Sequence, residues 1–269
     1  MTSPRIVSVF GATGLQGGSV IKGLLEDGTF VPRAITRNPD SEAAKKLKAR
    51  GVEVVQGDSL IKEGLADALR GSEAVFAVSV SGFNPNKETG DFAQGKNIVD
   101  AAKEAGVKFF IWSSLPSISK ISGGKYKNVV GYDATDDGYV MAYPILKPTD
   151  LESYAWIARD VPAAVLVILK HYTDSTKEIN GKIYPIVNAT IPGTKLAELA
   201  TKALGAKVTF TTAPPMGAVG MDEMFMAHVE YKGLYTGTPV PNPDLVTLGM
   251  KFSTVEEFME VELKPRFMQ

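Results

Sequence analysis

Three glycines in the segment GATGLQG have the spacing of a loop that binds a phosphate group. Gly11, Gly14 and Gly17 follow the apolar run Ile6 to Phe10 and precede a predicted helix. The first glycine permits a tight turn, the second lets backbone amides approach a pyrophosphate, and the third lets the helix pack closely on the strand. The positive end of the helix dipole would face the anion. The segment therefore predicts a dinucleotide-binding loop. The other residues predicted to line the ligand are Thr13, Leu15 and Gln16.

The second predicted strand ends in AITRNP, with an arginine where NAD-binding proteins of this fold carry an acidic residue. Arg37 stands 20 residues after Gly17 (37 − 17 = 20). Its guanidinium could donate two parallel hydrogen bonds to a 2′-phosphate. The sequence therefore predicts NADP(H) as the preferred cofactor, against the alternative of a solvated surface arginine. Arg33 is a weaker second candidate, because its place within the strand can turn its side chain away.

Polar residues stand at the ends of three further predicted strands. Ligands of open α/β sheets bind at the carboxyl edge of the strands, so Asp58, Ser59 and Ser79 are predicted members of the cofactor site. Two roles stay open for Asp58: contact with adenine, or a cap for the next helix. Ser113 and Ser114 end VKFFIWSS on the side expected for nicotinamide. Ser79, Ser113 and Ser114 are equally suited to bonding local backbone groups.

A proton donor for hydride chemistry is harder to find in the sequence. Some dehydrogenases use a tyrosine whose pKa is lowered by a lysine four residues along a helix. Tyr143 and Lys147 in YPILKP have that spacing. Pro144 and Pro148 make a regular helix there unfavourable, and the segment follows the strand-like GYVMAY. We therefore expect no such pair, and the catalytic residue stays unknown.

Two other features could belong to a substrate site. Tyr126 and Tyr132 lie in a predicted loop after the fifth strand, where an acid would be wanted, although a loop tyrosine is more often a packing residue. The segment MDEMFMAHVEYKGLY carries a stripe of methionine and aromatic residues. Such a stripe could line a hydrophobic pocket, but the core face of an amphipathic helix is the preferred interpretation.

Apolar β-rich runs alternate with helical patterns from Arg5 to Ser114. The predicted strands are IVSVF, VPRAITR, VEVVQGD, EAVFAVS and VKFFIWSS, and the predicted helices are SVIKGLLEDG, SEAAKKLKARG, LIKEGLADALRG and DFAQGKNIVDAAKEAG. This alternation predicts an α/β fold with a doubly wound parallel sheet, followed by a smaller C-terminal α/β part. In that part KIYPIV and KVTFTTAP are predicted strands, and TKLAELATKALG, MDEMFMAHVEYKGLY and STVEEFMEVEL are predicted helices, the last with Ser253 as a possible cap.

Composition narrows the classes of function. The net charge of −1 shows no bulk attraction to nucleic acid or membrane, so neither is an expected partner. The sequence has no cysteine, and His171 and His228 are too far apart for a histidine metal site, so we expect no metal. The N-terminus lacks the pattern of a signal peptide, and the apolar run VPAAVLVIL is far shorter than the ~20 residues that span a bilayer. A cytoplasmic location is the expectation.

The segments GATGLQGGSV, AITRNP, VEVVQGD, QGKNIVDAAKEAGV and FIWSSLP together resemble the NmrA-like family, a branch of the atypical short-chain dehydrogenases. The resemblance implies an NADP-binding Rossmann domain, placed here at 1–148, and a smaller substrate- or partner-binding part at 149–269. It also implies two styles of function: redox-sensing regulators that bind the cofactor without turnover, and oxidoreductases, many of them from fungal secondary metabolism.

The chain departs from this family pattern after KYKNVVGYD. Relatives continue there with a helix that bears a lysine and then a buried strand, whereas this chain passes to ATDDGYVMAYPI, so a helix and a strand are absent between Asp133 and Gly138. The first hypothesis is an NADP-dependent oxidoreductase for a small apolar substrate. The second is a non-catalytic NADP(H) sensor with a regulatory protein partner, and the third is an inactive product of the deletion, because loss of a strand exposes sheet edges.

Overall fold

A computed structural model describes residues 4–79, 90–114, 139–235 and 237–267. The chain forms two compact units. The first takes its residues from Met1–Ser114 and Ile157–Lys182, and the second from Leu115–Trp156 and Ile183–Gln269. The stretch 157–182 therefore belongs to the first unit, although it lies beyond residue 148, the domain boundary expected from the sequence.

The first unit is built on a parallel sheet of five strands in the order β3-β2-β1-β4-β5. The strands are β1 (Ile6–Val9), β2 (Val31–Thr36), β3 (Glu53–Gln56), β4 (Ala74–Val78) and β5 (Phe109–Ser113). The order reverses between β1 and β4, which is the position where doubly wound sheets open a crevice for a ligand. The predicted α/β class with a parallel sheet is confirmed.

Helices cover the sheet of the first unit. They are α1 (Leu15–Asp27), α2 (Glu42–Ala49), α3 (Leu65–Leu69), α4 (Asp91–Glu104) and α5 (Ile157–His171), followed by a 3-10 turn at Ser175–Lys177. Val75 and Ala77 of β4 are buried in one cluster with residues of α3 and α4. The alternate residues Ala74 and Phe76 are also buried, so the sheet is covered on both faces, as its continuous apolar strands require.

Helix α5 has no counterpart among the predicted helices. It contains the apolar run VPAAVLVIL, which the sequence analysis compared only with the length of a membrane span, and Pro162 lies inside the helix. The helix packs against α1, and a Cβ added at Gly23 of α1 would lie 2.8 Å from Cβ of Pro162. The absence of a side chain at Gly23 lets the two helices approach closely.

The predicted helix LIKEGLADALRG is shorter in the structure, because only Leu65–Leu69 is helical. Gly64 precedes it with a φ of +76°, in the left-handed region that ends or excludes an α-helix. The residues between β3 and Gly64 form turns, which places them at the carboxyl edge of the sheet.

The second unit contains two small sheets. Strand β6 (Tyr139–Pro144) pairs in parallel with β9 (Val208–Ala213), and β7 (Leu151–Tyr154) pairs antiparallel with β8 (Ala189–Pro192). Its helices are α6 (Gly193–Leu204), α7 (Val219–Glu230), α8 (Pro243–Thr247) and α9 (Val255–Phe258), the last continued by a π turn at Met259–Leu263 and a helical turn at Lys264–Phe267. The predicted smaller C-terminal α/β part is confirmed.

Two details of the C-terminal prediction are wrong. The segment KIYPIV is not a strand; the strand begins later, at Ala189, where its backbone pairs with β7. Ser253 does not cap the last helix, because Thr254 does so in a capping box with Glu257. Ser253 is buried instead, and its Oγ accepts a hydrogen bond from Nδ2 of Asn188 at 3.0 Å.

The methionine and aromatic stripe of α7 is part of the core of the second unit. Met221, Met224 and Phe225 are buried together with residues of α6 and β9. Met226 is the member of the stripe that stays exposed. The preferred interpretation as a core face is therefore confirmed for these three residues.

Candidate functional site

The GATGLQG loop favours glycine at two positions, through the backbone angle at Gly11 and through the lack of space for a Cβ at Gly17. Gly11 has a φ of +63°, which L side chains rarely adopt. A Cβ at Gly17 would lie 2.3 Å from the carbonyl oxygen of Gly11 and 2.7 Å from that of Phe10. The turn is closed by the amide of Gly14, which donates to the carbonyl of Gly11 at 2.9 Å. The predicted tight turn and close strand–helix packing are both present.

The N-terminus of α1 has no side-chain cap among the described residues. Helix α1 begins at Leu15 with Gly14 as its cap residue, and within the described residues no side chain accepts from its first-turn amides. The first turn also carries no acidic residue, and Leu15 is 69% exposed. Amides at the start of a helix lack partners inside the helix and carry the positive end of its dipole. The loop therefore offers donors of the kind that a pyrophosphate requires.

Gln16 and Ser113 meet across the carboxyl edge of the sheet. Ser113 Oγ donates to Oε1 of Gln16 at 2.7 Å, although the two residues are 97 positions apart in the chain. Ser113 is the last residue of β5 and is paired in register with Val78 of β4. The structure thus brings the predicted phosphate loop and one of the predicted nicotinamide-side serines together. Ser114 is exposed, and Ser79 follows β4 as a half-buried residue.

Arg37 lies at the same edge, directly after β2. Its side chain is exposed, and no described carboxylate forms an ion pair with it. The backbone around it is held by two bonds: Nε2 of Gln56 donates to the carbonyl of Arg37 at 3.4 Å, and the amide of Gly57 donates to that of Thr36 at 2.9 Å. A cation on a held backbone, free of an acidic partner among the described residues, suits a phosphate.

The prediction of Arg33 as a second ligand of the phosphate is wrong. It is buried, with its Nε donating to Glu53 at 2.7 Å and its Nη1 donating to the carbonyl of Arg70 at 2.8 Å. Further Nη1 contacts reach the carbonyl of Ala68 and Oγ of Ser72. Arg33 therefore ties strand β2 to the end of α3, as its position inside the strand suggested.

Asp58 forms a turn and does not cap a helix. Its Oδ1 accepts from the amide of Leu60 at 2.9 Å, and its carbonyl accepts from the amide of Ile61 at 2.9 Å. The next helix begins at Leu65 with Gly64 as its cap residue, so the capping role considered for Asp58 is wrong. Leu60 and Ile61 are 42% and 54% exposed, which places apolar side chains beside the carboxylate at the sheet edge.

Two residues of α4 contact this turn, and the sequence analysis did not single them out. Ser59 Oγ donates to Oε1 of Gln94 at 3.0 Å, and Nδ2 of Asn97 donates to the carbonyl of Ser59 at 3.0 Å. The signal in the sequence was the spacing of Gln94 and Asn97, because residues three apart share a helix face. A buried glutamine in an otherwise apolar face marks the same position.

Tyr143 and Lys147 do not form a catalytic pair. Tyr143 lies in strand β6, where its ring stacks on that of Phe210 with the centroids 5.1 Å apart. Burial, and then the nearby Glu152 carboxylate, raise the pKa of the Tyr143 hydroxyl, the opposite of what an acid with a lysine neighbour needs. Lys147 lies beyond the strand, with an exposed side chain. Tyr126, Tyr132 and the break in the family pattern after Asp133 lie outside the described residues.

The two histidines lie in different units of the structure. Nδ1 of His228 lies 2.7 and 2.8 Å from the two carboxylate oxygens of the buried Glu152, which links α7 to β7 within the second unit. His171 ends α5 in the first unit. Among the residues that the structure describes, no group of three or more His, Asp or Glu side chains could hold a metal ion, and no helix is long and apolar enough to cross a membrane.

The model of the NmrA-like family matches residues 3–137. The NmrA-like family domain-containing oxidoreductase notA of Aspergillus sp. (strain MF297-2) is 46% identical over 126 residues, which are 45% of this chain and 37% of notA. A protein of the same family from Dictyostelium discoideum is 41% identical over 123 residues, 45% of this chain and 40% of the relative. The similarity in sequence thus spans well under half of each relative's length.

Solved structures share the fold over nearly the whole chain. The crystal structure of NmrA, a negative transcriptional regulator, has a TM-score of 0.74 at 21% identity and covers 98% of this chain and 97% of its own. NmrA has been crystallised with NAD and with NADP. The NADPH-dependent quinone oxidoreductase QOR2 of Escherichia coli has a TM-score of 0.64 at 22% identity, covering 94% of this chain and 98% of its own. At these identities the likeness establishes the fold alone.

Proposed function

This chain belongs to the NmrA-like family, and on that basis we propose that its first unit binds a nicotinamide dinucleotide, with NADP(H) preferred to NAD(H). The observation that carries the proposal is the phosphate loop. Gly17 has no room for a Cβ against the carbonyls of Gly11 and Phe10, and the first-turn amides of α1 have no described side-chain cap. A helix start of this form fits the pyrophosphate of a dinucleotide.

The preference for NADP(H) rests on Arg37. Its exposed guanidinium follows β2, the strand whose end meets the adenosine ribose in proteins of this fold. An acidic residue at that position would repel a 2′-phosphate, whereas arginine can donate two parallel hydrogen bonds to it. In the same proposal the turn at Asp58 receives the adenine, and Gln16 and Ser113 lie toward the nicotinamide.

Calorimetric titration with NADPH and NADH tests this preference. We expect wild type to bind NADPH more tightly, and Arg37→Ala to weaken NADPH binding about 10- to 100-fold, the usual worth of hydrogen bonds to a charged group, with little change for NADH. Arg50→Ala is the matched control, because Arg50 is an exposed arginine at the far end of α2. Equal affinities of wild type for both nucleotides would refute the role of Arg37.

For the whole protein we propose an NADP-dependent oxidoreductase that acts on a small apolar metabolite. Bound NADPH would supply a hydride, while the chain orients the cofactor through the loop and the sheet edge. The name of notA as an oxidoreductase, at 46% identity over 126 residues, favours the proposal. Its test is NADPH oxidation measured at 340 nm with a panel of quinones, aldehydes, ketones and imines.

A second candidate is a non-catalytic NADP(H) sensor that binds a regulatory protein. Two observations favour it: the fold matches that of NmrA, named a negative transcriptional regulator, and Tyr143 and Lys147 do not form the pair that dehydrogenases use. Tight NADPH binding without oxidation across the panel would support the sensor. Turnover of any member of the panel would favour the oxidoreductase.

A further inference from the structure

We propose that Gln94 and Asn97 are positioning residues, which hold the turn Asp58–Ile61 in the conformation that receives the purine of the cofactor. This inference rests on the proposed function and deepens it, since it assigns to helix α4 a role in reading the base. Both act through Ser59, which follows Asp58 in the turn.

The turn between β3 and α3 has no regular structure of its own. Strand β3 ends at Gln56 and helix α3 begins only at Leu65, so eight residues, 57–64, belong to neither element. Within this stretch, the amides of Leu60 and Ile61 bond back to Asp58. These bonds set the local shape of the turn. The amide of Gly57 ties the start of the stretch to the carbonyl of Thr36 at the end of β2, but residues 58–61 form no backbone bond to the sheet or to a helix within the described part of the chain. The position of these four residues must come from side-chain contacts with other elements.

Ser59 supplies those contacts through both its side chain and its backbone. Its Oγ donates to Oε1 of Gln94 at 3.0 Å, and its carbonyl accepts from Nδ2 of Asn97 at 3.0 Å. Gln94 is only 5% exposed, so its amide is fixed by packing before any ligand arrives. Side chains on one face of a helix hold a site more precisely than a free loop does. The turn is thus fixed at its second residue, directly after Asp58.

The residues on either side of Ser59 are left available to a base. Asp58 uses Oδ1 for the amide of Leu60, which leaves Oδ2 as an acceptor. Leu60 and Ile61 expose 42% and 54% of their surface. A planar purine with an exocyclic amino group matches this combination of an acceptor and apolar side chains. Hypoxanthine carries a carbonyl oxygen in place of that amino group, and its contact with a carboxylate oxygen is unfavourable.

Base discrimination therefore reports the position of the turn. The ratio of the dissociation constants for deamino-NADPH, which carries hypoxanthine, and for NADPH measures how well the Asp58 carboxylate is placed. We expect a ratio of about 10 in wild type, the worth of one well-placed hydrogen bond to a charged group. Because both nucleotides share the phosphates and the nicotinamide, changes elsewhere in the site cancel in the ratio.

The variants are Gln94→Leu, Asn97→Ala and Ser59→Ala, with Lys96→Ala as the control on the same helix, since Lys96 Nζ pairs with Asp100 at 2.6 Å on the surface. Removing the anchors should weaken NADPH binding about 5- to 10-fold and reduce the ratio to about 2 or less, while Lys96→Ala keeps both values. Gln94→Leu and Ser59→Ala remove the same bond, so their combination should cost little more than either alone.

The outcomes distinguish failure of the proposed cofactor binding from failure of the positioning role. If wild type binds neither nucleotide, the proposed cofactor function fails. If wild type binds NADPH and the three variants keep the wild-type ratio, the positioning role is overturned, whether or not their affinity or melting temperature falls. Ser59→Ala changes a single half-buried hydroxyl, so it reports on the turn even where Gln94→Leu destabilises the fold.

Discussion

Substitution of Gly17 by alanine should damage both stability and cofactor binding, and the structure indicates by how much. The new Cβ would lie 2.3 Å from the carbonyl oxygen of Gly11, 2.5 Å from its carbonyl carbon and 2.7 Å from the carbonyl oxygen of Phe10. Real Cβ contacts are essentially never shorter than 3.0 Å. All three atoms belong to the backbone, so no side-chain rotation relieves the clash. Helix α1 or the loop must move.

The cost follows from two opposing effects. Overpacking of a tight contact costs about 1–3 kcal/mol, and rigid backbone on both sides places this case at the upper end. Replacement of glycine by alanine within a helix returns about 1 kcal/mol through helix propensity. We therefore expect Gly17→Ala to lower the free energy of unfolding by about 2 kcal/mol and to weaken NADPH binding at least tenfold, because the displaced amides no longer meet the phosphate.

The neighbouring glycine provides the control. A Cβ at Gly18 would lie 3.3 Å from the carbonyl oxygen of Ala12, a tight contact that a small shift relieves. Gly18→Ala should therefore be close to neutral in stability and in binding. Urea unfolding followed by circular dichroism gives the free energies, and calorimetric titration with NADPH gives the affinities. A Gly17→Ala variant as stable as Gly18→Ala, with wild-type affinity for NADPH, would refute the reasoning.

Three further predictions concern the scaffold. Arg33→Met should lower the free energy of unfolding by about 2–3 kcal/mol, because it leaves the buried carbonyl of Ala68 and the partly buried carbonyl of Arg70 without their donor. The ratio of NADPH to NADH affinities should stay unchanged, in contrast to Arg37→Ala, and a changed ratio would contradict the assignment of Arg33 to the core. The hydrogen bond from Arg5 lowers the pKa of the Glu73 carboxyl below its ordinary value of 4.5. This ion pair therefore stabilises the fold above pH 4.5, and its contribution is lost as the pH falls from 4.5 through the lowered pKa. In unfolding experiments between pH 3 and 6, the free energy of unfolding should fall less steeply with decreasing pH in Glu73→Gln than in wild type. Thr254→Ala should cost about 1 kcal/mol through loss of the capping box, measured by thermal unfolding, and an unchanged melting temperature would argue against the cap.

Much of the first unit could be predicted from local pattern. Each strand of the parallel sheet is a short apolar run, and the Gly11 to Gly17 spacing predicts a turn whose φ and close packing the structure then displays. These features depend on residues near one another in the chain. Helix α5 escaped prediction because α1, the helix it packs against, lies more than 100 residues earlier in the sequence.

The errors at individual residues have the same origin. Ser253 and Thr254 are adjacent and equally suited to cap a helix. In the structure Thr254 forms the capping box, while Ser253 accepts a hydrogen bond from Asn188 in another segment. KIYPIV has the composition of a strand, but the backbone that pairs with β7 begins at Ala189. Asp58 was a possible cap only if a helix began directly after it. The left-handed backbone at Gly64 delays the start of α3 to Leu65, so Asp58 lies in a turn instead.

The sequence by itself determined the phosphate loop, the parallel sheet and the arginine at the end of the second strand, because glycine spacing, apolar runs and charge act within a few residues of the chain. Only the tertiary structure decided which arginine faces outward, where β2 buries Arg33 against α3 and leaves Arg37 exposed. It also brought Ser113 to Gln16, and Gln94 and Asn97 to Ser59. Such pairs depend on strand order and helix rotation, which no local pattern contains.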